Sequence, residues 1–242
     1  ATLLATLPDS GSAVTLLASM RATLGDRIES FELVSRFALE LVERHIGGAA
    51  LPSALSGDWF VLAEVAVGED SEALVQVLGE AVESGQLKDA VIAKNLAEAE
   101  SLWRARHAIS EAQKYEGPSI KHDISVPVSR MREFLQRCAE SLRAQEPSAR
   151  PVIFGHVGDG NLHYNLTVPV ELASDAKRVR RVTTTIYDLV AELGGSFSAE
   201  HGVGITKKAY LEQYRGTTDL ELMRRLKRTL DPQCLLNPGK VI

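Results

Sequence analysis

Histidines and an asparagine lie close together in the segment Gly155-His156-Val157-Gly158-Asp159-Gly160-Asn161-Leu162-His163-Tyr164-Asn165. Apolar runs of β-forming residues flank its Gly-Asp-Gly-Asn centre, a pattern that predicts a β-hairpin. If Asp159 and Gly160 take the two central positions of a type I′ turn, His156 lies directly opposite His163. Opposed residues share one face of a sheet, with Cβ atoms about 4.5–5.5 Å apart. The turn chemistry therefore predicts that the two imidazoles meet.

The two faces of this hairpin differ in character. Because side chains alternate along a strand, Phe154 and Asn165 join the two histidines on one face. The other face is apolar and is predicted to be core; it carries Ile153, Val157, Leu162, Tyr164 and Leu166. The hairpin is therefore predicted to bury one face and to present His, His and Asn on the other as a candidate site.

Glu200 is the candidate third ligand beside His156 and His163. Two imidazoles and one carboxylate with an open coordination position form a catalytic type of site for Zn²⁺ or another divalent ion. Spacing alone does not attach Glu200 to the hairpin, and only its glycine-rich surroundings recommend it. The alternative is a pair of histidines that are satisfied by hydrogen bonds within the protein.

His201 follows Glu200 in the segment Glu200-His201-Gly202-Val203-Gly204. Successive residues of a strand point to opposite faces, so both side chains reach one cavity only if the strand ends here, which the glycines favour. A histidine beside a metal-bound hydroxyl is a suitable general base. The alternative is a loop histidine near a helix N-terminus. The segment lacks the third glycine of a dinucleotide-binding turn.

Arg106 and Ser110 lie four residues apart in the segment Leu96–Gln113, which predicts a long helix. They therefore share one helix face. Lys121 lies near the start of a predicted strand, Ile120–Val126. A guanidinium, a hydroxyl and an ammonium together could hold a substrate carboxylate. The alternative is a solvated helix face.

The composition narrows the class of protein. Of the 242 residues, 45% are hydrophobic and 24% are charged, as in ordinary soluble globular proteins. The formal net charge of −5 argues against a nucleic-acid-binding protein, which usually has a basic face. No apolar run is long enough for a transmembrane helix, and no secretory signal is expected. Cys138 and Cys234 do not form a metal-type pair, which favours a reduced, cytoplasmic setting.

Strands and helices alternate along the chain, and the hairpin adds an antiparallel pair. The first elements are predicted in the order strand, helix, strand, helix, strand, helix, strand. This order predicts an α+β fold with a mixed or antiparallel sheet. The polar, Pro-bounded stretch Gln145–Pro151 predicts a boundary between two half-domains, 1–145 and 146–242.

Four further motifs accompany the hairpin. They are Leu102-Trp103-Arg104-Ala105-Arg106, Lys121-His122-Asp123-Ile124-Ser125-Val126-Pro127, Glu200-His201-Gly202-Val203-Gly204 with Lys207, and Asn237-Pro238-Gly239-Lys240. In order and spacing they resemble the C-terminal substrate (cap) domain of the FAD-linked oxidases of the vanillyl-alcohol oxidase type. The similarity is to the D-lactate, glycolate and D-2-hydroxyglutarate dehydrogenases in particular. It covers roughly residue 60 to the end of the chain.

The resemblance implies a role for each residue that matches a family motif. It implies that a divalent metal, usually zinc, is held by His156, His163 and Glu200. It implies that His201 is the catalytic base. It implies that the substrate is bound by Arg106, Ser110, Lys121 and Asn165, with Ser110 standing where some relatives have Thr. It also places Asn237 and Lys240 near the flavin.

The implied fold is α+β, with a mostly antiparallel sheet covered by helices on one side and ferredoxin-like halves. In the family, a flavin-binding domain precedes this region, and nothing in residues 1–242 corresponds to it. We therefore expect FAD to be bound mainly by an N-terminal domain that is absent from this chain. The chain alone is expected to be inactive.

The resulting hypothesis is a flavin-dependent dehydrogenase that oxidises a D-2-hydroxy acid to the 2-oxo acid. Its expected partners are the small 2-hydroxy acid, its own FAD-binding domain and an electron acceptor of unknown identity, with no nucleic acid. A homodimer and peripheral membrane association are left open. Two other functions fit the residues: a metal-dependent hydrolase that uses the His/His/Glu site, and a non-catalytic acid-binding domain.

Overall fold

The strands of this computed structural model, which describes residues 1–47, 56–68 and 71–242, form one open sheet. The strands are β1 (Thr2–Leu7), β2 (Ile28–Ser35), β3 (Trp59–Val65), β4 (Asp89–Ile92), β5 (Ser119–Ile120), β6 (Asp123–Ser125), β7 (Arg150–His156) and β8 (Asn161–Thr167). The helices are α1 (Ser12–Leu24), α2 (Arg36–His45), α3 (Glu72–Glu83), α4 (Leu96–Ala112), α5 (Met131–Gln145), α6 (Val170–Ala173), α7 (Ala176–Glu192), α8 (Lys208–Tyr214) and α9 (Thr217–Leu230). Within the described residues, no helix is both long and apolar enough to cross a membrane.

The sheet runs in the order β4-β1-β3-β2-β7-β8-β5, and β6 also pairs with β8. The pairings between these strands are antiparallel. The order β4-β1-β3-β2, with α1 and α3 as connections, is the ferredoxin-like arrangement. A second such unit follows, in which β6, α5, β7, β8 and α7 lead to a bridge between Ser125 and Ser196. The predicted α+β fold with ferredoxin-like halves is confirmed.

The change from one half to the other lies in the connection that contains α4, before the predicted boundary at residue 145. The two halves meet where β2 pairs with β7. The helix before residue 145, α5, packs against α7, which follows it. The polar stretch that suggested a boundary is a turn within the second half, and its Glu146 is buried and held by Arg178 and Arg181.

Helices cover both faces of the sheet, whereas one-sided cover was predicted. One face carries the larger core, under α1, α3, α5 and α7. On the other face, α2 and α4 cover a smaller core that includes Leu4, Val34, Phe60, Leu62, Val152 and Phe154. The central strands are buried on both sides and therefore read as continuous apolar runs. The smaller core ends at Phe154. The candidate residues lie on the same face of the sheet, past this end of the core.

Helix α4 brings functional residues to this face. It begins where the side-chain oxygen of Asn95 accepts the N–H of Glu98 at 3.0 Å, a regular N-cap. Its apolar stripe packs on the smaller core and consists of Leu102, Ala105, Ile109 and Ala112. These residues recur at helical spacing. Arg106, beside this stripe, is therefore directed toward the sheet and not into solvent.

The β7–β8 hairpin is present, but its predicted turn and register are wrong. Phe154, not His156, lies opposite His163, and His156 pairs with Glu32 of β2. The turn is a 3-10 turn over Val157–Asp159 that ends at a left-handed Gly160. A Cβ on Gly160 would collide with the carbonyl oxygen of Val126, so the turn is shaped by its contact with that residue.

The predicted division of the hairpin into a buried face and a histidine-bearing face is correct despite this register error. The observed register differs from the predicted one by two residues, and two residues are one full side-chain period of a strand. His156 and His163 therefore still share one face. The predicted core face is confirmed, because its residues are buried in the larger core: Ile153, Val157, Leu162, Tyr164 and Leu166.

Candidate functional site

Residues from strands, a loop and α4 meet on the uncovered part of the second face. The strands contribute Glu32 from β2, Asp123 from β6, His156 from β7 and His163 from β8. The loop before α8 contributes Glu200 and His201, and α4 contributes Arg106. A groove of about 640 Å³ opens beside them, and its lining includes Trp103, His107, His156 and Glu200.

His156 is oriented by Glu32. Its Nδ1 lies 2.6 Å from Oε1 of Glu32, whose side chain is only 3% exposed. A carboxylate can only accept here, so the Nδ1 hydrogen is donated and Nε2 is left facing Glu200 at 3.5 Å. The hydrogen bond with Glu32 raises the pKa of His156. Burial alone would raise the pKa of Glu32, but the His156 hydrogen bond and the Arg106 charge outweigh it and lower that pKa.

Glu200 lies between the two hairpin histidines. Its Oε1 is 3.5 Å from Nε2 of His156, and its Oε2 is 3.7 Å from Nε2 of His163. Burial lowers the pKa of His163, which favours the neutral imidazole that binds metals. Imidazole nitrogens and carboxylate oxygens are the donors that a divalent transition metal accepts, so the chemistry of His156, His163 and Glu200 fits such an ion.

Asp123 holds the loop that carries Glu200 and His201. Its Oδ2 accepts the backbone N–H groups of both residues, each at 2.8 Å. Its Oδ1 is buried and has no hydrogen-bond partner among the described residues, and it lies 3.9 Å from Nδ1 of His163. Ligand atoms of Asp123, His163 and His201 lie within 4.8 Å of one another, which makes them a second set of donors around His163.

His201 belongs to this second set of donors and faces solvent. Its side chain is 62% exposed, and its ring stacks on that of His163 with 5.7 Å between centroids. The predicted strand Ser196–Glu200 is reduced to the single bridge at Ser196. Beyond that bridge the chain turns, and Gly202 takes a positive φ of 71°. This geometry brings both Glu200 and the adjacent His201 beside His163.

Arg106 is engaged by protein groups. Its Nε and Nη2 each lie 2.9 Å from Oε2 of Glu32, and its guanidinium lies over the ring of Phe154, 4.6 Å from the centroid. Ser110, one turn further along α4, is exposed. Arg106 thus lies on the face where the family resemblance implies it, but with a carboxylate partner that the sequence pattern did not indicate.

The predicted strand Ile120–Val126 is split into β5 and β6, yet one register runs through both. Ser119 pairs with Thr167 and Asp123 pairs with His163, so Lys121 lies at the position opposite Asn165. Lys121 is exposed at this split.

Asn165 is a buried clamp within the protein. Its Oδ1 accepts the backbone N–H of His122 at 3.2 Å, and its Nδ2 donates to Gln113 at 3.1 Å. The amide that the family resemblance assigns to substrate binding is therefore occupied at both ends by protein groups.

The tail that contains Asn237 and Lys240 lies beside the loop of Glu200 and His201. The backbone N–H of Val241 donates to the carbonyl oxygen of Gly204 at 2.9 Å. Both Asn237 and Lys240 are exposed. The structure thus joins two motifs that are distant in sequence.

Sequence reasoning missed Glu32 and Asp123 as site residues. Each is an ionisable residue within a strand, and each is almost completely buried, at 3% and 2% exposure. A signal existed in both cases. Glu32 interrupts the run Phe31-Glu32-Leu33-Val34, and Asp123 precedes Ile124 in a strand that is otherwise suited to core.

Comparison with known proteins identifies a matching family and similar curated proteins. The model of the family "FAD linked oxidases, C-terminal domain" matches residues 1–241. A D-2-hydroxyglutarate dehydrogenase of Xanthomonas citri pv. viticola is 38% identical over 244 residues, covering 99% of this chain and 50% of that protein. A mitochondrial D-2-hydroxyglutarate dehydrogenase of Arabidopsis thaliana is 32% identical over 231 residues, covering 94% and 40%. The chain thus spans half or less of the length of these relatives.

Solved structures with the same fold are more distant in sequence. Substrate-bound p-cresol methylhydroxylase has a TM-score of 0.63 at 14% identity, covering 99% of this chain and 52% of that chain. The 4-ethylphenol oxidase of Gulosibacter chungangensis has a TM-score of 0.60 at 14% identity, covering 99% and 53%. These two show the fold alone. The fold, the match to the family model and the identity to the curated relatives agree, and the chain belongs to the family of C-terminal domains of FAD-linked oxidases.

Proposed function

We propose that this chain is the substrate- and metal-binding part of a flavin-dependent dehydrogenase that oxidises a D-2-hydroxy acid to the 2-oxo acid. The observation that carries the proposal is the position of Glu200 between His156 and His163, with His201 beside them. D-2-hydroxyglutarate is the first acid to test, because relatives carry that name. Lactate and glycolate are the smaller members of the class. Family membership favours oxidation over the hydrolase alternative.

His156, His163 and Glu200 are the residues that would hold a divalent metal, and we propose zinc. Glu32 supports this set, because a carboxylate on the far nitrogen of an imidazole fixes the tautomer whose other nitrogen faces the metal. Asp123 is the weaker candidate ligand, because its Oδ2 already accepts two backbone N–H groups. When bound, such an ion supplies a Lewis acid that lowers the pKa of a coordinated hydroxyl.

His201 is proposed as the catalytic base. Its exposed imidazole accepts the proton of the substrate hydroxyl, and its stacking on His163 keeps the ring beside the candidate metal ligands. FAD, when bound, supplies the acceptor for the hydride that leaves the α-carbon. We propose that FAD is held mainly by a flavin-binding domain outside residues 1–242, with Asn237 and Lys240 near it, and that residues 1–242 alone do not turn over.

Arg106, Lys121 and Ser110 are proposed to hold the substrate carboxylate. Arg106 uses Nε and Nη2 toward Glu32. A guanidinium has five N–H donors, so Arg106 retains donors for a second carboxylate. Asn165 stays a proposed substrate residue only if its clamp on His122 opens.

The electron acceptor is proposed to be a separate molecule, and the protein is proposed to form a homodimer. The setting is proposed as cytoplasmic on the basis of the free cysteines. Several relatives instead carry the word mitochondrial in their names. Fractionation of the source cells would decide between the two compartments.

The proposal is tested with the protein in its natural length and with FAD bound. The protein is mixed without oxygen with the D and L enantiomers of 2-hydroxyglutarate and lactate, and with glycolate. Flavin absorbance at about 450 nm is followed. We expect loss of absorbance with a D-acid and much slower loss with its L enantiomer. Failure of every 2-hydroxy acid to reduce the flavin would refute the proposed activity.

The metal assignment is tested separately. We expect that His156→Ala and His163→Ala abolish the binding of stoichiometric zinc. His45→Ala serves as the matched control, because His45 pairs with Glu116 in a different cluster. Unchanged zinc content in His156→Ala would remove that residue from the ligand set.

A further inference from the structure

The loop that carries Glu200 and His201 has no regular secondary structure of its own. It leaves the bridge at Ser196 and runs through turns to α8. In a loop without regular secondary structure, successive side chains point in different directions unless hydrogen bonds fix the backbone. The orientation of Glu200 and His201 therefore depends on the hydrogen bonds that anchor this loop.

Asp123 supplies three successive anchors. Its backbone carbonyl accepts the N–H of Ala199 at 3.2 Å. Its Oδ2 accepts the N–H groups of Glu200 and His201, each at 2.8 Å. Asp123 lies in β6 and pairs with His163 of β8, so these bonds tie the loop, through β6, to a strand that carries a candidate ligand.

Lys207 closes the loop from its other end. Its Nζ donates to Oγ of Ser198 at 3.0 Å and to the carbonyl oxygen of Phe197 at 3.4 Å. Ser198 in turn donates its hydroxyl to the carbonyl oxygen of Gly202 at 2.6 Å. These bonds hold the ends of the loop, whereas the bonds of Asp123 hold its centre.

We infer that Asp123 is a positioning residue for the reaction, and this inference rests on the proposed function. A single carboxylate oxygen accepts the amides of two adjacent residues, so it sets the directions of both the third metal ligand, Glu200, and the base, His201. The role needs an acceptor at the place of Oδ2 and does not need the negative charge. It is therefore separable by substitution from a role as a metal ligand.

The test compares three substitutions in the protein of natural length. Asp123→Asn keeps an oxygen at the same distance from the backbone, Asp123→Glu keeps the charge but displaces the oxygen, and Asp123→Ala removes both. Two properties are measured in the absence of substrate: hydrogen exchange of the Glu200 and His201 amides in the metal-free protein, and the dissociation constant for zinc. Oxidation of the D-acid is measured as a third property.

We expect Asp123→Asn to keep slow exchange of both amides and a zinc affinity near that of the wild type. We expect Asp123→Glu and Asp123→Ala to speed exchange and to weaken zinc binding about 10–100-fold, as loss of a supporting residue does. Asp9 offers the control, because its Oδ1 accepts the N–H groups of Gly11 and Ser12 at the start of α1, on the opposite face of the sheet. Asp9→Ala should change exchange only in its own loop.

The inference is overturned if Asp123→Glu binds zinc better than Asp123→Asn, since charge and not position would then matter. It is also overturned if Asp123→Ala folds and keeps slow exchange at both amides. If Asp123→Ala does not fold, the zinc affinities of Asp123→Asn and Asp123→Glu still test the inference. Hydrogen exchange needs neither flavin nor substrate, so loss of the proposed function would leave this result readable.

Discussion

The carboxylate of Glu32 accepts the Nδ1 hydrogen of His156 at 2.6 Å, in a position that is almost closed to solvent. The other oxygen of the same carboxylate accepts from Arg106 at 2.9 Å. One buried carboxylate thus joins a candidate metal ligand to a candidate substrate-binding residue. A change at Glu32 should therefore affect both kinds of binding, although Glu32 itself is not expected to touch the substrate.

Glu32→Gln is expected to weaken zinc binding about 10–100-fold, because the amide no longer fixes the His156 tautomer as a carboxylate does. The measurement is a zinc titration against a chelator. Glu146→Gln is the matched control: Glu146 is also a buried carboxylate shared by two cations, Arg178 and Arg181. It should lose stability without a change in zinc affinity. Equal zinc affinity in the wild type and Glu32→Gln would contradict the prediction.

Arg106→Lys is expected to raise KM for the D-acid at least about 10-fold, because an ammonium cannot bind a carboxylate with the two-pronged geometry of a guanidinium. Steady-state kinetics measure it. Arg150→Lys is a close control, since Arg150 lies over the ring of Phe37 at 4.5 Å and pairs with Glu116. The control should keep the wild-type KM. A similar KM in both variants would mean that Arg106 serves only the fold.

Gly160→Ala is expected to destabilise the hairpin far more than Gly85→Ala. Both glycines have a φ near 75°, at 76° and 74°, so both substitutions carry a similar backbone strain of about 1–2 kcal/mol. In the part of the chain that the structure describes, nothing lies close to a Cβ at Gly85, whereas a Cβ at Gly160 meets the carbonyl oxygen of Val126. Urea unfolding of the two variants measures the difference. Equal losses would show that the contact with Val126 does not shape the turn.

Glu116, which lies outside the candidate site, is expected to make the stability of the protein depend on pH. A hydrogen bond with His45, helped by Arg150 and Arg44, lowers the pKa of Glu116 from 4.5 to about 2. A lowered pKa in the folded state stabilises the protein above pH 4.5, and this contribution is lost as pH falls from 4.5 toward 2.

The measurement is urea unfolding of the wild type and Glu116→Gln at several pH values. We expect the wild type to be the more stable of the two above pH 4.5, and the difference to shrink as pH falls toward 2. A difference that stays constant over this range would show that the ionised carboxylate of Glu116 does not contribute.

The hairpin shows what local sequence can predict. The alternation of side chains is a local property of a strand, so the shared face of His156 and His163 and the buried face opposite were predicted correctly. The turn was predicted wrongly because its form depends on Val126, which contacts Gly160 from another part of the chain. Because the register was counted outward from the predicted turn, it was wrong by two residues, which is one full side-chain period of a strand.

Glu32 and Asp123 show what local sequence cannot predict. A carboxylate within a strand is usually a surface charge, and only the β2–β7 and β6–β8 pairings bring these two beside the histidines. Glu200 is a related case, because the family resemblance attached it to the hairpin and spacing did not. The α+β class was predictable from the order of elements, whereas the cover on both faces depends on how α2 and α4 fold back.

We propose that this face removes the hydroxyl proton of a D-2-hydroxy acid while the flavin is reduced. The most direct measurement is the single-turnover rate of flavin reduction by D-2-hydroxyglutarate in the protein of natural length, for the wild type, His201→Asn and the control His45→Asn. We expect a wild-type rate in His45→Asn and a rate at least about 100-fold lower in His201→Asn, with FAD and zinc still bound. A wild-type rate in His201→Asn would contradict the role of His201 as the base.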